Sequence, residues 1–357
     1  MPRLSNNVKP VEQLRLGFLL PSDKDLPSGG NIYNRRLISS LSSIGVQIQD
    51  LDLASFRECA SRDCDLCFVD TLLLPEIGSL SQQSWAANLF LIVHFLPSFD
   101  PNRSQPTRIG LHAQEQNLLW RFSGFLVTSK FTGQLLRQQF RVEQPVIVVP
   151  PAGSIMPAEV QHRPEVFRGL MVSSLTRVKG VLEFLDALGN LAATQDRVPI
   201  TIVGRDDLDP AYAEQCRRLA ASHPILSRDV HLLGPVGLDQ MSNLYASHSV
   251  FISASKFETF GMALNDADIV GLPILAVDGG AVSQHVRHGV NGYLFSSVDR
   301  LAETTVELAR EPSALRILVA RATAARPQTQ YTWEDAARSL LSQIAGIRPN
   351  RVSVSHK

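Results

Sequence analysis

Residues 253–267 read Ser253-Ala-Ser-Lys-Phe-Glu258-Thr-Phe260-Gly261-Met262-Ala-Leu-Asn-Asp266-Ala267, and they join an apolar strand to a helix. The pattern predicts a strand over 250–253 and a helix over 261–270. Gly271 and Pro273 stop the helix after roughly three turns. A helix opening directly after a strand offers free N–H groups and a positive dipole end, here expected at Phe260, Gly261 and Met262. Such an end suits a diphosphate. Gly261 has no side chain to obstruct a close ligand. Glu258, just outside, flanks the phosphates and is placed to accept hydrogen bonds from sugar hydroxyls, unless it only caps the helix. Asp266 lies four residues beyond Met262 on the same helical face. It reaches ribose hydroxyls or is simply solvated.

The same alternation extends in both directions. Strands are expected at 16–20, 46–51, 66–69, 90–95, 125–128 and 146–149, with a helix at 31–44. A break follows at Pro150, Pro151, Gly153 and Pro157, and 161–165 is a polar linker. Strands then return at 169–174, 200–203, 230–233 and 274–277, with helices near 181–191, 211–220, 301–309 and 333–344. Short apolar strands separated by helical stretches imply βαβ units and mainly parallel sheets. In such sheets ligands bind beyond the carboxyl ends of the strands. The unusual residues fall there: Ser28, Gly29 and Gly30 after the first strand, His94 at the end of another, and Arg177, Lys179 and Gly180 after the first strand of the second half. Gly204, Asp207, Gly234 and Glu258 follow later strands.

A chain of 357 residues suits two domains. Lys+Arg and Asp+Glu both total 34, and this balance argues against a nucleic-acid partner. It does not exclude a phosphorylated small molecule. No apolar run approaches the ~20 residues needed to span a bilayer. The polar start, 1–10, lacks an apolar signal core, so the expected compartment is the cytoplasm; peripheral membrane contact stays compatible with this. Cys64 and Cys67 form a C-x-x-C, which raises a metal or redox reading. Across a strand at 65–69 positions three apart point to opposite faces, which favours buried free thiols, as for Cys59 and Cys216.

The 253–267 segment resembles the E-x-F-G-x-x-x-x-E signature of the retaining glycosyltransferases of family four, which have the GT-B fold. Glu258, Phe260 and Gly261 fit, and Asp266 stands where the second Glu is usual. The resemblance spans most of the chain and is strongest over 169–295. Ser173-Ser-Leu-Thr-Arg-Val-Lys179-Gly180 is similar to the family's strand and phosphate-binding turn. Asp278-Gly279-Gly280 with Gly289-Val-Asn291-Gly292-Tyr-Leu-Phe295 resembles its last nucleotide-side loops. Ser28-Gly29-Gly30 resembles its first-domain glycine loop, and Trp333-Glu334 its returning helix. The resemblance implies two facing Rossmann-like domains with a deep cleft between them: 1–160 for the acceptor and 166–326 for the nucleotide sugar. A helix at 327–347 crosses back to the first domain, and 348–357 is a polar tail.

It further implies transfer of a sugar from a UDP- or GDP-sugar, with retention, to a carbohydrate, lipid or small-molecule acceptor, with no metal or other cofactor. His94 and Glu258 then act at the sugar; Gly29, Gly30, Arg177, Lys179, Gly234, Phe260, Gly261, Met262 and Asp266 bind the donor. Three positions depart from the pattern. Ser174 replaces an Arg, Gln284 a Glu, and Asp266 is shorter than Glu by one C–C bond of ~1.5 Å. Arg177 is expected to supply the missing charge unless it points to solvent. Without the resemblance His94, a lone histidine beside apolar residues, reads more readily as a satisfied core histidine, and Gly29-Gly30 reads also as a tight turn. Asp207-Leu-Asp209 is a D-x-D in a charged loop, expected to be solvated. A non-catalytic nucleotide-sugar binder of the same fold is the rival reading.

Overall fold

Runs such as Leu89–Val93, apolar and buried throughout, form strands that need cover on both faces, as parallel sheets provide. The computed structural model describes residues 14–22, 28–53, 56, 64–79, 88–155 and 166–347. The polar start 1–10, Cys59, Pro157, the linker 161–165 and the tail 348–357 lie outside the described residues. The first sheet comprises β1 (Arg15–Leu19), β2 (Gln47–Leu51), β3 (Leu66–Asp70), β4 (Leu89–Val93), β5 (Gly124–Val127) and β6 (Val146–Val148). Their order is β2-β1-β3-β4-β5-β6, with every pair parallel. The second sheet comprises β7 (Gly169–Val172), β8 (Ile200–Val203), β9 (Val230–Leu232), β10 (Val250–Ser253), β11 (Ile274–Val277) and β12 (Gly292–Phe295). It is also wholly parallel, in the order β12-β11-β10-β7-β8-β9. That is the doubly wound nucleotide-binding order, whose reversal point falls between β7 and β10.

Helices cover both sheets: α1 (Gly29–Ser43), α2 (Leu74–Gly78), α3 (Gln105–Leu119), α4 (Lys130–Gln139), α5 (Val181–Leu191), α6 (Pro210–Ser222), α7 (Leu226–Asp229), α8 (Leu238–Ser247), α9 (Met262–Val270), α10 (Val298–Arg310), α11 (Pro312–Ala325) and α12 (Trp333–Gly346). Helix α1 starts two residues earlier than expected, because Ser28 caps it by accepting the Asn31 N–H at 3.2 Å. Gly29 and Gly30 are therefore its first turn and not a loop. The 292–295 run, expected as loop, pairs with β11 as a strand. Cys64 precedes β3, so the alternation rule does not reach it. Both sulfurs face one point, 3.0 and 3.3 Å from where a Cβ on Gly17 would lie. Burial pushes the Cys67 thiol up to about 12, so it stays protonated at neutral pH.

Helix α12 returns to the first domain. Ala336, Ala337 and Leu340 are buried among Leu16, Phe18, Leu37 and Leu41. Gln343 accepts the Val148 N–H at 3.1 Å and donates to the Val148 carbonyl at 2.9 Å, which closes the open edge of β6. The helix is started by a capping box between Thr332 and Asp335. Leu340→Ala should therefore lower stability by about 2–5 kcal/mol, measured by denaturant unfolding. A change below about 0.5 kcal/mol, the size of a surface substitution, would show that α12 does not support the first-domain core.

Candidate active site

The carboxyl edges of the two sheets face one another across a cleft of about 950 Å³. The first domain lines it with Gly29, Gly30, Arg36, His94 and Thr128; the second with Lys179, Arg205, Glu258, Phe260, Gly261 and Met262, among others. Lys179 follows β7 and Glu258 follows β10, so the reversal point of the second sheet brings them together. Lys179 Nζ donates to Glu258 Oε1 at 2.6 Å. Glu258 is thus paired to a cation from the neighbouring strand and does not cap α9.

The loop that carries Glu258 is fastened on both sides. Lys256 Nζ donates to Asn102 Oδ1 at 2.7 Å and to Glu183 Oε1 at 2.6 Å. The Phe257 ring lies 6.1, 5.7 and 5.9 Å from those of Phe95, Phe99 and Phe131 in the first domain. The Thr259 carbonyl accepts from Ser129 Oγ and Thr132 Oγ1 at the start of α4. Within the second domain, Glu258 N–H donates to the Gly279 carbonyl at 3.2 Å and the Ala281 N–H to the Glu258 carbonyl at 2.7 Å. The Phe260 carbonyl takes the N–H of His285 Nε2 at 2.7 Å. Burial lowers the His285 pKa, which keeps that ring neutral.

Helix α9 begins at Met262, later than expected, because Gly261 turns left-handed at φ 91°. A Cβ there would be strained and would lie 2.7 Å from Leu264 Cδ1. The free first-turn donors are consequently Met262, Ala263 and Leu264, not Phe260 and Gly261. All three line the cleft.

His94 sits just past β4 with its side chain 15% exposed. A Cβ on Gly30 would come within 3.1 Å of its ring, so glycine is what lets α1 approach. Asn34 Nδ2 donates to Asp70 Oδ2 at 2.7 Å, which turns Asn34 Oδ1 toward His94 Nε2 at 2.9 Å. His94 Nε2 therefore carries the proton, and Nδ1 is left as an acceptor. Burial lowers the His94 pKa, while Asp70 at 3.4 Å opposes the shift.

Two expected donor residues, Arg177 and Gly234, do not line the cleft. Arg177 is 55% exposed, 3.4 Å from Asp209 and over the Tyr212 ring at 5.6 Å. Asp209 draws it away while capping α6 through the Tyr212 N–H. Gly234 is a left-handed turn residue (φ 69°) accepting from the Gly204 N–H; Pro235, Val236 and Gly237 after it line the cleft instead. Asp266 does line the cleft but, at 3% exposed, is not solvated. Its carboxylate accepts from Ser154 N at 2.7 Å and from Ser154 Oγ, a residue of the segment leaving β6. Sequence reasoning missed Arg205, which is 7% exposed on the cleft wall with both guanidinium contacts to Asp207 at 2.9 Å. Its signal was available: an arginine two residues past the end of strand β8. Thr128, the residue after β5, had the same signal of position without a charge, and Phe257 carried none.

Burial pushes the Asp266 pKa up to about 6, although the Ser154 bonds pull it down. Between about pH 4 and 6 the folded state holds a proton that the unfolded state has lost. Stability should fall as pH rises through that window, by roughly 2–3 kcal/mol, and level off above it. Asp266→Asn should flatten the slope in urea unfolding from pH 4 to 7.5. An unchanged slope would assign it to another group.

Residues 167–311 match the family described as Glycosyl transferases group 1. A GDP-mannose-dependent alpha-mannosyltransferase of Corynebacterium glutamicum is 28% identical over 128 residues, which are 36% of this chain and 27% of that enzyme. The matches to the first curated relatives all span less than a third of their length. Among solved structures, sucrose-phosphate synthase from Thermosynechococcus elongatus superposes with a TM-score of 0.76 at 17% identity, over 94% of this chain and 99% of that one. Anabaena HepE in complex with UDP-glucose gives 0.72 at 17% identity, over 94% and 100%. Residues 167–311 thus match the Glycosyl transferases group 1 model within a chain of GT-B fold.

Proposed function

We propose that the protein is a retaining glycosyltransferase moving a sugar from a UDP- or GDP-sugar to a carbohydrate, lipid or small-molecule acceptor. The observation that carries this reading is the Lys179–Glu258 pair beside the first turn of α9, at the reversal point of the second sheet. As the glycosidic bond breaks, charge collects on the leaving diphosphate. Fixed donors at Met262, Ala263 and Leu264 and the Lys179 ammonium stabilise that charge without reorganising. Arg205, and not Arg177, is the second cation that the nucleotide domain presents to the cleft. Apolar Val236, Met241 and Phe251 line the part of the wall suited to a base. Glu258 and neutral His94 hold sugar hydroxyls on opposite sides of the cleft.

Metal independence is part of this reading, and it is supported by Asp207 being held by Arg205 and by Asp209 capping α6. A second reading, nucleotide-sugar binding without turnover, draws on Ser174 at the place of a phosphate arginine and on Asp266 being engaged by Ser154.

Donor consumption across UDP- and GDP-sugars in excess EDTA tests the proposal. Turnover of one donor supports it; binding without consumption across a wide acceptor panel supports the second reading. Loss of activity restored by Mn²⁺ or Mg²⁺ contradicts metal independence. Glu258→Gln removes a charged hydrogen bond of about 1.5–3 kcal/mol, so turnover should fall about ten- to a hundredfold. Wild-type turnover in that variant would remove Glu258 from the site. Lys179→Ala should weaken donor use at least about tenfold, while Arg177→Ala should leave donor kinetics unchanged; the reverse pattern would return the phosphate role to Arg177.

A further inference from the structure

We propose that the Thr128 hydroxyl hydrogen-bonds a substrate hydroxyl beside His94, so that the two residues together read a vicinal diol on a sugar ring. The inference rests on the glycosyltransferase reading and extends it to a residue outside the signature. Strands β4 and β5 pair with Val93 opposite Val127, which places His94 and Thr128 side by side just beyond the sheet. Leu126 and Ile92 pack in the core under α1, whereas Val127 and Val93 pack in the core on the other face. Alternation then returns Thr128 and His94 to the α1 face. The His94 ring lies edge-on to Tyr33 of α1 at 5.4 Å, in agreement.

Thr128 lines the cleft yet is only 4% exposed. Among the described residues, its Oγ1 is the buried side-chain nitrogen or oxygen with no hydrogen-bond partner. The next two hydroxyls, Ser129 and Thr132, are committed to the Thr259 carbonyl. A buried hydroxyl without a partner destabilises the protein that contains it; a ligand that completes the bond recovers that free energy on binding. The chemistry of the pair is complementary to two neighbouring hydroxyls. His94 Nδ1 can only accept while the ring is neutral, and Thr128 Oγ1 can donate to the adjacent oxygen. The diol belongs either to the donor sugar or to the acceptor.

Thr128→Val and Thr128→Ser, compared with the wild type, separate these outcomes. Without ligand, Thr128→Val should unfold at the same or a higher temperature. Its affinity for UDP and GDP should be unchanged. If the donor sugar carries the diol, affinity for the productive nucleotide sugar, with UDP-glucose and GDP-mannose as first probes, should fall about tenfold. If the acceptor carries it, acceptor KM should rise about tenfold instead. Thr128→Ser should recover most of either loss, because it restores the hydroxyl. A lowered unfolding temperature in Thr128→Val with all ligand constants unchanged would show an internal partner for the hydroxyl and overturn the proposal. Unchanged constants for every sugar-bearing ligand would overturn it while leaving the glycosyltransferase reading intact. Failure of the wild type to bind either nucleotide would overturn both.

Discussion

Phe257 and Glu258 are neighbours in sequence but are held by different domains. The phenyl ring is enclosed by Phe95, Phe99 and Phe131 of the first, and the carboxylate is paired with Lys179 of the second. Thr259 adds a carbonyl held by two hydroxyls at the start of α4. A loop fastened in this way cannot keep its geometry if the domains separate, because the aromatic contact and the carbonyl contact would both be broken. Aromatic pairs contribute about 0.5–1.5 kcal/mol beyond burial, so three of them around one ring make a substantial anchor. The arrangement of the cleft therefore depends on closure, and closure depends on the segment that carries the central carboxylate.

The rest follows from parallel sheets. Each βα unit delivers its loop to the carboxyl edge, and two such edges facing each other place His94 and Lys179 in one cleft despite 84 intervening residues. The second sheet reverses its order between β7 and β10, which separates the two flanking helices and leaves room for phosphate between them. Helix α12 then ties the end of the second domain into the core of the first through Leu340 and Gln343. In the same region, Trp333 donates from Nε1 to the Gly153 carbonyl at 2.9 Å. That contact lies one residue from the Ser154–Asp266 bond, so the connector between the domains is held from two sides.

The strands were legible because continuous apolar runs such as 89–93 have one use in a parallel sheet. Helix α3 was not, since only Glu115 and Leu119 of its fifteen residues are buried and no apolar stripe announces it. Lys179 and Glu258 were legible from their place just beyond strands. Their contact was not, because it depends on which strands are neighbours. The direction of Arg177 was left open for a similar reason: two residues from Lys179 in sequence, it faces the other way, where Asp209 and Tyr212 receive it. Asp266 was expected to face ribose or solvent, because a helical face was visible and its occupant was not. The occupant is Ser154, from a segment 112 residues away. The late start of α9 turns on one dihedral at Gly261, and composition does not encode a dihedral.

The central claim is that the second domain binds a nucleoside diphosphate through Lys179 and the first turn of α9. A crystal structure of the protein with UDP or GDP, chosen by whichever binds more tightly, tests it most directly. The account predicts phosphate density within hydrogen-bonding distance of the backbone nitrogens of Met262, Ala263 or Leu264 and of Lys179 Nζ. Nucleotide bound away from the β7–β10 reversal point, with the Lys179–Glu258 pair undisturbed and the first turn of α9 unoccupied, would contradict it.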